Sequence, residues 1–418
     1  NRSILYPSIT SSFIFSEAFK GSLPGWLSFG KIRAAYAEVG SDTDVGPYSN
    51  NLFYSINPAQ FPGPTGTGQP IAGITGSTVP NPNLRPMRVT EKEVGLEMKL
   101  FNNDLGLEVS YYSKLSSDQI LQAQTSDAGG YVTKLINVGE SRNNGVEMLL
   151  YFTPINSKSF SWNFSFNAAY NRSKVLSLGT NISDSMITVG TGDYSGELRQ
   201  VVGKPIGQLY GYGYLRDENG TQVFDAGNGR PLRTPTQIAF GSAVPIWTGG
   251  VTNTLNFKGV TLSFLVDFKL GNKMISGTNF NAWREGLHKA TLVGREEGFV
   301  IGNGVNPNKQ VNTTKSGVQA FYETVRSQNI AEEFVYNAGL WQLRQVTLGY
   351  DFSKYVTALK FIKGLRLNAV ANNVAVLKKW VPNIHPEQFG FPSDNLVGLE
   401  STGLPITRSV GFNLNIRF

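Results

Sequence analysis

The chain has 418 residues and a formal net charge of +7, and it contains no cysteine. That length suits two or three soluble domains or one large barrel, and the missing cysteines exclude disulfide frameworks and thiolate metal sites. The basic residues are scattered, with only Lys378-Lys379 adjacent, so no nucleic-acid partner is expected. Charged residues at 16%, aromatics at 12% and 46 glycines favour extended structure with many turns. No stretch approaches the roughly 18 apolar residues of a membrane helix; that excludes a helical membrane protein but not a membrane barrel, whose strands are apolar on one face only.

The start, Asn1-Arg2-Ser3-Ile4, has neither Met nor an export signal and reads as a cut. About eleven strands are then expected, at 4–15, 27–39, 89–101, 105–121, 135–152, 160–175, 247–257, 259–270, 340–352, 365–373 and 409–418. Many alternate with period two over about ten residues, the length of a tilted membrane strand. Leu105 to Leu115 does so with Glu108 and Lys114 on the polar side, and Phe160 to Asn171 sets Phe164 and Phe166 against Asn163, Ser165 and Asn167. In Val260 to Leu270, Leu262, Phe264, Val266 and Phe268 alternate with Ser263, Asp267 and Lys269; the final segment alternates Phe412, Leu414 and Ile416 with Asn413, Asn415 and Arg417. The apolar members of these sets are expected to face lipid, and Glu108, Lys114, Glu147, Asp267 and Lys269 a plug or luminal water. Between Leu343 and Val346 the phase slips, which predicts a bulge. Aromatics near segment ends, such as Tyr111, Trp162, Tyr170, Trp341 and Tyr350, match interfacial girdles.

The connections alternate in length. Asn102-Asn103-Asp104, Thr153 to Ser159 and Lys258-Gly259 are short, whereas 40–88, 176–245, 271–339 and 374–405 are long, as for periplasmic turns and outer loops. An odd count of about eleven cannot close an up-and-down barrel, so a companion set making roughly 22 strands is expected upstream. In the loops, Phe61 to Pro70 is expected to be irregular, with Gly63 to Gly68 a surface loop rather than a phosphate cradle. Turns at Asp217 to Thr221 and Gly227 to Gly229 bracket Val223-Phe224 and predict a small hairpin. Alternation also occurs in soluble sandwiches, so a surface-exposed β-rich adhesin stays open as an alternative, as does a passive porin.

Several stretches stand out together: Asn81 to Pro86 followed by Thr90 to Glu97, Asn137-Val138-Gly139-Glu140 with Asn144 to Glu147, Gly203 to Gly207 running into Tyr210-Gly211-Tyr212, Pro245 to Gly250, Leu343 to Tyr350, and Arg408 to Phe412 before the final Phe418. In their order and spacing they resemble the SusC-like branch of the TonB-dependent outer-membrane transporters of Bacteroidota. The resemblance spans nearly the whole chain. It implies an all-β fold, a transmembrane antiparallel barrel of which residues 1–418 form the C-terminal part, with the N-terminal plug and first strands outside this chain. It implies import of an oligosaccharide or peptide across the outer membrane of a Gram-negative bacterium, with no enzymatic activity. The implied partners are TonB, acting through the upstream region, outer-membrane lipid and a SusD-like surface lipoprotein lid, with transporter-lid pairs able to dimerise. Phe418 would be the C-terminal assembly signal. Two departures stand out. Where many relatives carry a calcium-loop-like run, Asp217, Glu218 and Asp225 are too few carboxylates for a full ligand set, so no cofactor is expected. Asn383-Ile384-His385-Pro386-Glu387 replaces an Asp-Pro-Glu version, leaving the role of that loop open.

No catalytic constellation is found. His288 and His385 are isolated, and Glu296-Glu297 and Glu332-Glu333 read as solvated loop charge. Tyr194, Tyr210, Tyr212, Tyr214, Phe280 and Trp283 are the candidate substrate contacts, being amphipathic rings in the long loops; packing of loop against loop or lid is the alternative use of the same rings.

Overall fold

The computed structural model describes residues 5–418 except 42–44, 47, 63–67, 75–76, 125–127, 129–130, 179–184, 193–195, 357–360 and 389–396. Eleven strands form one antiparallel wall in chain order: β1 (Ser8–Phe13), β2 (Leu27–Ser41), β3 (Met87–Leu100), β4 (Leu105–Gln124), β5 (Thr133–Asn156), β6 (Phe160–Ser177), β7 (Trp247–Phe257), β8 (Val260–Leu270), β9 (Leu340–Asp351), β10 (Gly364–Lys379) and β11 (Ser409–Arg417). Each lies where alternation of polarity places it. Among the described residues β1 and β11 pair on one side only, and the short strand Thr78–Val79 adds to the start of β5 in parallel.

Register is fixed by turn chemistry at one end of the wall. Lys258 and Gly259 both have positive φ, 47° and 91°, as a two-residue hairpin matching the twist of β7 and β8 requires. Asn102 and Asn103, at φ 54° and 73°, do the same between β3 and β4, where asparagine tolerates the left-handed region. The predicted bulge is present: the β8–β9 register shifts between Leu265 and Val266, leaving Arg344 unpaired between Leu343 and Gln345. The irregularity puts Arg344 and Gln345 on the same face of the wall, which strict alternation forbids.

At the opposite end the long connections form a structured assembly rather than irregular loops. A four-stranded sheet comprises Met186–Thr191, Glu197–Val201, Gln208–Gly211 and Ile238–Ser242. A second sheet brings together Lys273–Ser276, Val335–Asn337 and Leu399–Glu400. Helices Gly277–Arg284 and Val318–Ser327 pack between them, the first capped by Ser276, whose hydroxyl accepts from the Asn279 amide at 3.1 Å. The shared core contains Leu198, Leu209, Ile275, Val325, Ile330, Phe334 and Leu399.

Two loop expectations need correction. Phe61-Pro62 and Gly68 to Pro70 belong to a paired ribbon, Tyr54–Pro62 with Gly68–Ile74, because an isolated two-stranded ribbon leaves outward N–H positions where proline costs no ladder bond; residues 63–67 of the expected surface loop lie outside the described residues. The predicted hairpin is a three-limbed meander, with bridges Tyr214 to Arg233, Arg216 to Gln222 and Phe224 to Pro231. Val223 and Phe224 are buried in it.

Candidate functional site

The ladder register sorts every crossing segment into two faces. On one face one rung runs from Phe164 through Asn253 and Phe264 to Val346, and another from Phe166 through Val251 and Val266 to Leu343. Leu262 neighbours Leu348, which neighbours Ala369 and then Phe412; Leu414 pairs with Leu367 and Ile416 with Leu365. Phe268 completes the set. All nine residues expected on the apolar face therefore share it. Phe412 is 78% exposed, whereas Phe268 is 7% exposed, stacked on Trp341 at 4.7 Å. Gly249 makes room for it, since a Cβ there would lie 2.7 Å from the Phe268 ring. Aromatic rings bound the band. Tyr111, Tyr170 and Trp247 lie at the loop end, the last two 4.8 Å apart, and Trp162, Tyr350 and Phe352 at the turn end. Phe418 follows the last paired residue and is exposed.

The other face is polar and cross-linked by charge. Lys31 pairs with Glu97 at 2.6 Å and Arg33 with Glu93 at 2.8 Å, each bridging β2 and β3, and Arg33 also reaches across β3 to Glu108 of β4 at 2.9 Å. Lys114 and Glu147 stand on the same face by register. At the loop end the bulge delivers Arg344 to Asp267 at 2.7 Å and to both oxygens of Glu387. Lys269 reaches Glu387 at 2.6 Å, and His385 bonds Gln342 at 3.0 Å. The loop of undetermined role is thus an anchor between wall and outer assembly. Burial alone would raise the Glu387 carboxyl, but hydrogen bonds and charge from Arg344 and Lys269 outweigh it and hold the group below the usual carboxylate range. The family comparison marked the loop of Glu387 without giving it a role; the phase slip marked Arg344.

The candidate aromatic contacts separate into two groups. Phe280 and Trp283, at 5% and 6% exposure, are corrected to core residues: Phe280 packs edge-on to Phe334 at 5.1 Å, and the Trp283 indole N–H donates to the Tyr322 carbonyl at 3.1 Å. A ring so enclosed offers no face to a ligand. Tyr214 packs against the same core and its hydroxyl donates to Glu333 at 2.7 Å. Burial and the neighbouring carboxylate of Glu333 push the Tyr214 phenol far up. Burial likewise raises Glu333, against the effect of its Tyr214 hydrogen bond and with that of Glu332. Glu332 accepts from the Tyr214 amide and from Arg216, so this acidic pair is structural and half-buried, not solvated, because two loops close over it. Tyr210 and Tyr212 remain partly exposed, with Arg199 and Arg233 over their rings at 4.7 and 3.9 Å. Tyr194 lies outside the described residues.

At the position of the calcium-loop-like run the three carboxylates have partners within the chain. Asp217 accepts from the amides of Asn219 and Thr221, Asp225 from those of Gly227 and Asn228, and Glu218 pairs with Lys309 at 2.7 Å. Their oxygens close turns or meet a cation. His288 also stabilises its own turn, accepting from the Ala290 amide.

The family described as TonB dependent receptor-like, beta-barrel, matches residues 22–374. TonB-dependent receptor P3 of Formosa agariphila is 22% identical across 93% of this chain and 39% of its own length. TonB-dependent receptor SusC of Bacteroides thetaiotaomicron is 23% identical across 85% of this chain and 35% of its own. Among solved structures, that of the RagAB peptide transporter superposes over 100% of the chain with a TM-score of 0.75 at 20% identity, using 44% of the matched chain. The chain thus spans less than half the length of these relatives. With an eleven-strand wall of opposed apolar and polar faces and a family match over most of its residues, the chain belongs to the TonB-dependent receptor-like β-barrel family, which is not a family of enzymes.

Proposed function

We propose that this chain forms the C-terminal half of the wall, and much of the outer assembly, of an energised importer for an oligosaccharide or peptide in a Gram-negative outer membrane. The observation that carries the reading is the opposition of faces: an apolar band ending in aromatic rows suits lipid, and a polar, ion-paired face suits an aqueous or plugged lumen. The relatives' greater length supports a companion half and a plug outside this chain, through which TonB would act. The long connections then lie outside the cell, under a lid of the surface-lipoprotein kind. Tyr210 and Tyr212 are the proposed contacts for sugar or peptide, being the candidate rings that stay partly exposed without packing against the buried core of the assembly.

The test uses the full-length protein in cells, with labelled oligosaccharides and labelled peptides, before and after collapse of the proton-motive force. Energy-dependent uptake of one class, reduced in Tyr212→Ala with the protein still inserted, is the expected result. Uptake indifferent to the proton-motive force would mean a passive pore, and surface binding without uptake an adhesin.

A further inference from the structure

We infer that the outer wall carries a binding site for a phosphate-bearing lipid headgroup, in a groove on the apolar face of β5 and β6 just beyond the aromatic row. The site rests on the orientation proposed above, with long connections outside the cell. A groove of about 580 Å³ is lined there by Tyr111, Arg142, Asn144, Tyr170, Arg172 and Lys174, and is closed above by Gly203 and Pro205. The register ranks them by depth: Val146 pairs with Tyr170, then Asn144 with Arg172, then Arg142 with Lys174. At about 3.3 Å per residue, Arg172 stands ~7 Å and Lys174 ~13 Å along the strand from the Tyr170 ring level. Aromatic rows mark the membrane interface, so these cations stand at headgroup depth.

Their charge has no internal partner. Arg142, Arg172 and Lys174 are exposed and form no ion pair among the described residues; Glu140, two residues nearer the loop on β5, pairs with none of them. Like charges directly opposite across a ladder, as Arg142 and Lys174 are, destabilise the pair unless an anion lies between. On the polar face of the same wall, by contrast, Arg33, Lys31 and Arg344 each meet carboxylates within 3 Å. Lys92, aligned with Arg172 through Ser113 and Asn144, extends the cationic rung across three further strands. The Asn144 side-chain oxygen, buried in the groove wall, also has no hydrogen-bond partner. Unpaired guanidinium and ammonium groups beside Tyr111 and Tyr170 complement a phosphate on a hydroxylated, acylated headgroup, whose chains continue down the apolar band.

The experiment is native mass spectrometry of the full-length protein in detergent, titrated with diphosphorylated lipid A, the same lipid with its phosphates removed, and inorganic phosphate. Retention of the phosphorylated lipid is expected, falling about a hundredfold in the triple variant Arg142→Gln, Arg172→Gln, Lys174→Gln, with each cation weighing roughly fivefold at an anionic surface. Lys114→Gln, on the opposite face of the same sheet, should leave retention unchanged, and heat-modified gel migration shows that each variant is folded. Equal retention by the triple variant, or of the dephosphorylated lipid, overturns the site, and inorganic phosphate displacing the lipid at equal concentration overturns a lipid source. Loss of transport with lipid retention intact would instead count against the transport reading alone.

Discussion

The eleven-strand wall and the assembly above it solve the burial problem in opposite ways. In the wall, each residue's environment follows from its parity along a strand, so Phe264 and Ser263 are neighbours with opposite fates. In the assembly, burial is collective: Leu198, Trp283, Phe334 and Leu399 lie as much as 200 residues apart in sequence yet share one core. A surface that relies on lipid on one side needs no distant partner, whereas a water-exposed domain must build its own interior.

The contrast sets an order of expected effects. The largest falls in the assembly: Trp283→Ala removes a 6%-exposed ring and should cost about 3–5 kcal/mol locally, read as proteolysis of the long connections while the heat-modifiable barrel persists. Collapse of the barrel as well would show that the two regions are one cooperative unit. Next is the wall. Phe264→Lys should cost about 2–4 kcal/mol in urea unfolding from lipid vesicles, and Ser263→Lys, one residue away on the polar face, far less. Equal costs would erase the distinction of faces.

Arg344→Gln tests the joint between the regions. It removes the cation of Asp267 and leaves Glu387 with Lys269 alone, so a loss of about 1.5–3 kcal/mol is expected in the docking of 381–388, measured by hydrogen exchange. The smallest effect is a pH dependence of opposite sign at two carboxylates. Glu387, held low, supports the fold above the ordinary carboxylate range and loses that support as pH falls through its depressed pKa. Glu333, held high by burial, supports the fold below the ordinary range and loses it as pH rises through its raised pKa. Exchange at 385–388 should therefore speed up in acid, and at 331–334 toward neutrality; Glu387→Gln and Glu333→Gln should flatten the respective profiles.

These differences also explain what the sequence disclosed. All eleven strands were legible because parity is local, and even the bulge at Arg344 announced itself as a slipped phase. The helix Val318–Ser327 was not recognised, although Val318, Tyr322 and Val325 carry helical spacing, because it is flanked by glycine and polar residues typical of loops. Phe280 and Trp283 were misassigned for a related reason: an aromatic in a long connection serves a ligand or a core equally well until its distant partners are known. Glu387 was invisible as an anchor because Lys269 and Arg344 meet it only through tertiary structure.

The central claim, that one face of the wall meets lipid and the other the lumen, is most directly tested by spin labels placed one at a time at Leu262, Ser263, Phe264, Leu265 and Val266 of the full-length protein in vesicles. Collisions with oxygen, which concentrates in lipid, should peak at the first, third and fifth positions and drop at the two between. Five labels with the same oxygen accessibility, or the reverse alternation, would contradict it.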